Sequence, residues 1–197
     1  DIITYLMGGG ADNVDGGTNT DQLNIIGTNA NETLDVIVNA GVVTQIEGGA
    51  ITNVETITVN LGGGNDRISY AGSASGVTVN LAVAAGTGLA SLANTENVTG
   101  TAQADTLTGN NLANDLIGLG GDDIMNGGLG NDALLGEGGN DTITYLMGSG
   151  ADSVDVGAGT DTLNIVANGI DETLDLIVNA AGVVTQIEGG AITNVET

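Results

Sequence analysis

The sequence predicts an all-β chain folded as a right-handed parallel β-solenoid, a stack of short strands joined by glycine-rich turns. Three observations predict it. A nine-residue period runs through residues 100–164, with an acidic residue or Asn at its sixth place and an apolar residue at its eighth. Apolar residues alternate with period two in the segments between, the mark of half-buried strands. Residues 1–56 recur as 141–197, so an outer period of 140 or 141 residues encloses the shorter one. Repetition on two scales is the signature of a stacked repeat architecture. Parallel crossovers are nearly always right-handed, which sets the expected hand.

Taken in order, residues 1–24 hold two nonapeptides, 7–15 and 16–24. Residues 25–99 read as a strand-rich spacer. Leu34, Val36 and Val38 alternate, as do Ile57, Val59 and Leu61, and then Val77, Val79 and Leu81. Clusters of Gly, Asn and Asp separate these runs, as turns require. One isolated nonapeptide sits in the spacer at 61–69. Residues 100–164 hold the dense band, with three consecutive copies at 118–144. Tyr145 and Leu146 shift the register by two before it resumes at 147–155 and 156–164. Residues 165–197 begin the next spacer. In the outer alignment 1–40 matches 141–180 at 26 of 40 positions and 41–56 matches 182–197 at 16 of 16. Both ends fall inside the pattern, so the chain is expected to be an excerpt of a longer array.

Composition narrows the function. The chain of 197 residues has 35 Gly and no Pro, Cys, Phe, Trp or His. Arg67 is its one basic residue against 25 Asp and Glu, for a net charge of −24. Phosphate binding needs Lys and Arg, which excludes nucleic acid as a partner, and anionic membrane surfaces fail on the same ground. No apolar run approaches the ~18 residues of a membrane span. A 41% hydrophobic content made of small aliphatics is enough for a thin core. Self-repulsion of this size opposes a compact state, so a multivalent cation is the expected partner.

A Gly-Gly-x-Gly-x-Asp turn suits such a cation. Glycines allow the backbone to curl, the curl gathers carbonyl oxygens, and the Asp adds a carboxylate. Calcium takes about six to eight oxygens at roughly 2.3–2.6 Å, more than one turn offers, so a second turn stacked on the first must complete the shell. Two nonapeptides per coil would place Asp105, Asp123 and Asp141 along one edge, and Asn114, Asp132 and Asp152 along the other. Unpaired carboxylates one strand spacing apart, ~4.8 Å, repel; calcium between them would cross-link instead.

The copies Gly118–Asn126, Gly127–Leu135 and Gly136–Thr144 resemble the RTX family, the hemolysin-type calcium-binding repeats, whose fold is a β-roll. The resemblance implies several calcium ions, held by Asp123, Asp132 and Asp141 with main-chain carbonyls around Gly121, Gly130 and Gly139. By position it extends to Asp105, Asp152 and Asp161, to Asp1, Asp12 and Asp21 in the first band, and to Asp66 in the lone copy. Asp115 adjoins Asn114, which replaces the motif's Asp. Gln103 and Leu112 replace the fourth-position Gly at 100–108 and 109–117, which marks these two copies as weak.

No catalytic site is expected. The chain lacks His, Lys and Cys, and every dense Asp position already has a ligand role. Tyr5 and Tyr145 hold equivalent places in the outer repeat, which suits a fixed packing role, and Arg67 is expected to pair with a carboxylate. Two functions follow from the resemblance: a calcium-rigidified segment of a long extracellular fibre, adhesin or surface layer, or the repeat region of a secreted toxin or hydrolase that aids export and calcium-triggered folding. The outer repeat favours the first, with further copies of the repeat, in the same chain or self-associated, as partners.

Overall fold

The computed structural model describes residues 1–167, 176–178, 184–187 and 190–193. Most of the expected second spacer, 165–197, lies outside them. Among the described residues the chain is all-β, with one short 3-10 turn at Leu81–Val83. The strands form sheets of four, six and twelve members.

In the nonapeptide band the strands are three residues long, or five at Thr142–Leu146 and Thr162–Val166, and the pattern of the motif explains why. The glycine-rich half of each copy turns, and the second half is extended. Thr106–Thr108, Ile124–Asn126 and Thr142–Leu146 pair in parallel, with Leu107, Met125 and Ile143 in register. On the other side Asp115–Ile117, Ala133–Leu135 and Ser153–Asp155 pair in parallel, with Leu116, Leu134 and Val154 in register. These eighth-position residues are all buried, because each strand turns its middle side chain inward. The second column continues into the spacer through Val98, Ile68 and Leu34. One line of aliphatic side chains thus joins spacer and nonapeptides in a single core. Burial of each such side chain removes apolar surface from water, a contribution of about 1.5–3 kcal/mol.

The spacer departs from the expectation of parallel strands throughout. Thr33–Asn39, Val42–Ile46 and Gly49–Thr52 pair antiparallel. Two tight turns cause this. Ala40 and Gly41 have φ of 50° and 82°, and Glu47 and Gly48 have 51° and 81°. Two successive positive φ values make the hairpin turn whose twist matches that of its strands. Thr78–Asn80 and Ala85–Gly86 also pair antiparallel.

The tyrosines are structural, as expected. Tyr5 donates its hydroxyl to the Gly10 carbonyl at 2.5 Å, and Tyr145, its equivalent, to the Gly150 carbonyl at 3.2 Å. Tyr70 is fully buried and donates to the Thr87 carbonyl at 3.2 Å.

Candidate metal centre

In the band at 100–164 each sixth-position residue stands at the mouth of its turn, one residue before a strand. The turns stack with the strands, so sixth-position residues 18 apart meet. The amide of Asp105 donates to Oδ1 of Asp123 at 2.8 Å, and the amide of Asp123 to Oδ1 of Asp141 at 2.9 Å. On the opposite edge the amide of Asn114 donates to Oδ1 of Asp132 at 2.9 Å. The two-residue insertion lengthens the step to 20 without breaking the pattern. Asp132 donates to Oδ1 of Asp152 at 3.0 Å and Asp141 to Oδ1 of Asp161 at 2.7 Å. The two expected edges are therefore both present.

The second carboxylate oxygen separates the copies. Oδ2 of Asp123, Asp132 and Asp141 is buried and accepts no hydrogen bond. A buried anionic oxygen without a partner carries a large desolvation cost, so this is where a cation fits. Asp105 differs, because its Oδ2 accepts the amide of its own turn's Thr101 at 2.6 Å, and its Oδ1 accepts the Thr101 hydroxyl at 3.1 Å and the Val77 amide at 2.7 Å. Asn114 likewise bonds inside its own turn, accepting the Asn110 amide at 2.7 Å. Within residues 100–164 these are the two copies that lack the fourth-position Gly.

Burial raises the pKa of these carboxyls. Desolvation pushes Asp123 up to about 7, helped by the charges of Asp105, Asp141 and Asp122 and opposed by the Asp105 amide. It pushes Asp132 up to about 6, and it raises Asp141 and Asp105. Ionised together, these columns are under electrostatic stress that a divalent cation relieves.

The glycines admit the carboxylates. A Cβ at Gly118, Gly127 or Gly136 would overlap Oδ2 of Asp123, Asp132 or Asp141, five residues on. The fourth-position glycines have positive φ, 101° at Gly121, 119° at Gly130 and 134° at Gly139. At Gly130 and Gly139 they also lie against a carbonyl of the preceding turn, that of Leu112 or Gly121. Among the described residues no three acidic side chains converge on one point. A cation here would draw one or two carboxylates and otherwise main-chain carbonyls, the donor set calcium accepts.

The remaining sequence candidates fall in different settings. Asp21 and Asp66 are buried with Oδ2 unpartnered. Asp1 is exposed, and its amino terminus pairs with Oδ1 of Asp21 at 2.5 Å. Asp12 is exposed. Asp115 lies within its strand and is bound by Arg67, whose guanidinium also donates to the Val98 carbonyl at 3.2 Å and Thr99 Oγ1 at 2.9 Å. The one side-chain cation of the chain thus spans three neighbouring strands beside Asn114, the place where the acidic column is interrupted.

Sequence reasoning missed Glu32, Glu55 and Glu96. Each occupies a sixth position in the stack. The Asp21 amide donates to Glu55 at 2.8 Å, the Asp66 amide to Glu96 at 2.9 Å, and the Glu32 amide to Asp66 at 2.8 Å. A signal existed: each Glu stands two residues before a buried strand residue, Leu34, Ile57 or Val98, as Asp105, Asp123, Asp132 and Asp141 do.

Residues 108–143 and 148–164 match the RTX calcium-binding nonapeptide repeat in four copies. This part of the chain is similar to the calcium-binding repeats of that family. No curated protein matches the chain at a significant level.

Proposed function

We propose that the chain is a right-handed parallel β-solenoid segment of a long extracellular fibre, adhesin or surface layer, made rigid by calcium and without catalytic activity. The observation that carries this reading is the set of buried, unpartnered Oδ2 atoms on Asp123, Asp132 and Asp141 in a chain of net charge −24. Calcium bound there supplies positive charge and oxygen coordination between successive turns. The carboxylates of Asp123, Asp132 and Asp141 hold it, with carbonyls of the turns around Gly121, Gly130 and Gly139. Asp152, Asp161 and Asp21 are further ligands by position. Asp105 contributes less, because its own turn already satisfies its carboxylate. Asp1, Asp12 and Asp115 remain positional candidates.

The outer repeat supports a structural array over the repeat region of a toxin or hydrolase, since tandem copies lengthen a rod and add nothing to one active site. It also supports a partner that is the repeat itself. The test is calcium titration of the chain followed by circular dichroism and calorimetry. Saturable binding of several ions, with a gain in β content or thermal stability over excess EDTA, is expected. Equal β content and equal stability in both conditions would overturn the reading.

A further inference from the structure

Buried carboxylate oxygens without a hydrogen bond fall into two groups. Asp21 and Asp66 carry them earlier in the chain, and Asp123, Asp132 and Asp141 later. Glu96, Asp105 and Asp115 lie between and carry none. The core is nonetheless continuous there. Ile68, Val98 and Leu116 are in register and 0% exposed. The strands Arg67–Ser69, Asn97–Thr99 and Asp115–Ile117 therefore pair across a stretch where no buried carboxylate stands without a partner.

Three side-chain donors explain this. The Arg67 guanidinium donates to the Val98 carbonyl at 3.2 Å, to Thr99 Oγ1 at 2.9 Å and to Asp115. Its fork is rigid and always charged, so one residue of the first strand grips the second and the third. Asn97 Nδ2 donates to the Asp66 carbonyl at 3.0 Å and to Asn65 Oδ1 at 2.8 Å, and its Oδ1 accepts the Asp115 amide at 3.0 Å. Asn114 Nδ2 donates to the Glu96 carbonyl at 2.6 Å. That last bond reverses the sense found in the next coil, where Asp132 accepts the Asn114 amide at 2.9 Å through Oδ1 and leaves Oδ2 unpartnered. An ionised carboxylate has no proton to give to a carbonyl, whereas an Asn side chain has two. At this junction N–H groups thus occupy main-chain carbonyls that a cation would otherwise draw.

We propose that Arg67, Asn97 and Asn114 form a metal-independent clamp where the spacer meets the nonapeptide band. The clamp keeps its three strands paired when calcium is withdrawn, and Arg67 supplies the fixed positive charge that the ion supplies elsewhere. Order in a stacked array spreads from a formed unit to its neighbour. Asp115–Ile117 is such a unit, because it offers a finished edge on which Ala133–Leu135 pairs. The seed for calcium-driven ordering of 123–144 therefore stands ready before the ion arrives. The inference rests on the calcium reading of the band, since it divides the stack into a part that needs the ion and a part that does not.

Peptide-resolved hydrogen exchange on the whole chain, in excess EDTA and in calcium chloride, tests it. In EDTA the peptides 66–70, 96–100 and 114–118 should stay protected. Peptides from 123–135 should exchange about a hundredfold faster in EDTA than in calcium held at a hundred times its dissociation constant. Arg67→Gln should release the three clamp peptides in EDTA and leave protection of 123–135 in calcium unchanged. Asn114→Asp should make the clamp calcium-dependent, so that 114–118 loses protection in EDTA and regains it in calcium. Equal loss of the clamp and of 123–135 in EDTA would overturn the clamp and leave the calcium reading intact. Clamp peptides that stay protected in EDTA in either variant would overturn the role given to that residue. Protection of 123–135 that is the same in EDTA and in calcium would overturn the calcium reading, and with it the division of the stack.

Discussion

The amide of Asp123 donates to Oδ1 of Asp141 at 2.9 Å, and the Asp123 carbonyl accepts the Thr142 amide at 2.8 Å. One side chain therefore extends the main-chain ladder into the turn. It does so with one oxygen and leaves the other buried without a hydrogen-bond partner. The ladder takes up one carboxylate oxygen of Asp141, and the charge on the other is unbalanced.

Calcium removal should accordingly loosen the band without erasing the pattern of pairing that the sequence encodes. Each saturated site adds about 2.7 kcal/mol of stability when calcium stands a hundredfold above its dissociation constant. Thermal denaturation across a calcium series should show a midpoint that climbs with concentration. A midpoint indifferent to calcium would count against bound ions.

Asp132→Ala should weaken calcium binding more than Asp105→Ala. Asp132 carries an unpartnered oxygen, while both oxygens of Asp105 are engaged by Val77 and Thr101. Isothermal titration of the two variants compares them directly. Equal losses would remove the distinction drawn from the second oxygen.

Gly127→Ala should destabilise the chain by about 1–3 kcal/mol, the usual cost of forcing atoms into filled space. The added carbon would overlap the Asp132 carboxylate. Gly138→Ala is the control, since its nearest neighbour, the Leu119 carbonyl, would lie at 3.8 Å. Urea denaturation in saturating calcium should separate the pair.

Acid should act in opposite directions with and without calcium. Burial lifts Asp123 to about 7 and Asp132 to about 6 from an ordinary 3.8. Between 3.8 and those values the folded chain holds protons that the unfolded chain has released, so stability falls as pH rises through this window. In EDTA the melting midpoint should therefore be higher at about pH 5 than at about pH 8. In calcium the ions need the same oxygens ionised, so apparent affinity should drop as pH falls below about 7. Midpoints and binding isotherms at both pH values check the two signs.

The nonapeptide band was legible because its period is constant. Once Asp123, Asp132 and Asp141 are placed, Met125, Leu134 and Ile143 must point inward. The spacer was harder for two physical reasons. Steps of 34 and 30 residues join Glu32 to Asp66 and Asp66 to Glu96, so no fixed period reveals the column. The hairpins turn at Ala40-Gly41 and Glu47-Gly48, where Ala and Glu take the positive φ usually given to Asn, Asp or Gly. The alternation of Leu34, Val36 and Val38 announced a strand but not the direction of its neighbour.

Every amide-to-carboxylate bond in the acidic columns runs the same way, from the earlier residue to the later: Glu32 to Asp66, Asp66 to Glu96, Asp105 to Asp123, Asp132 to Asp152. A turn thus obtains its acceptor only when the following stretch of chain has arrived. The stack behaves as a ratchet whose teeth all lean forward, each layer latched by its successor. Order can then lengthen at the later end, while main-chain bonds that run the other way, Ile124 to the Asp105 carbonyl and Thr142 to that of Asp123, tie each layer to its predecessor as well.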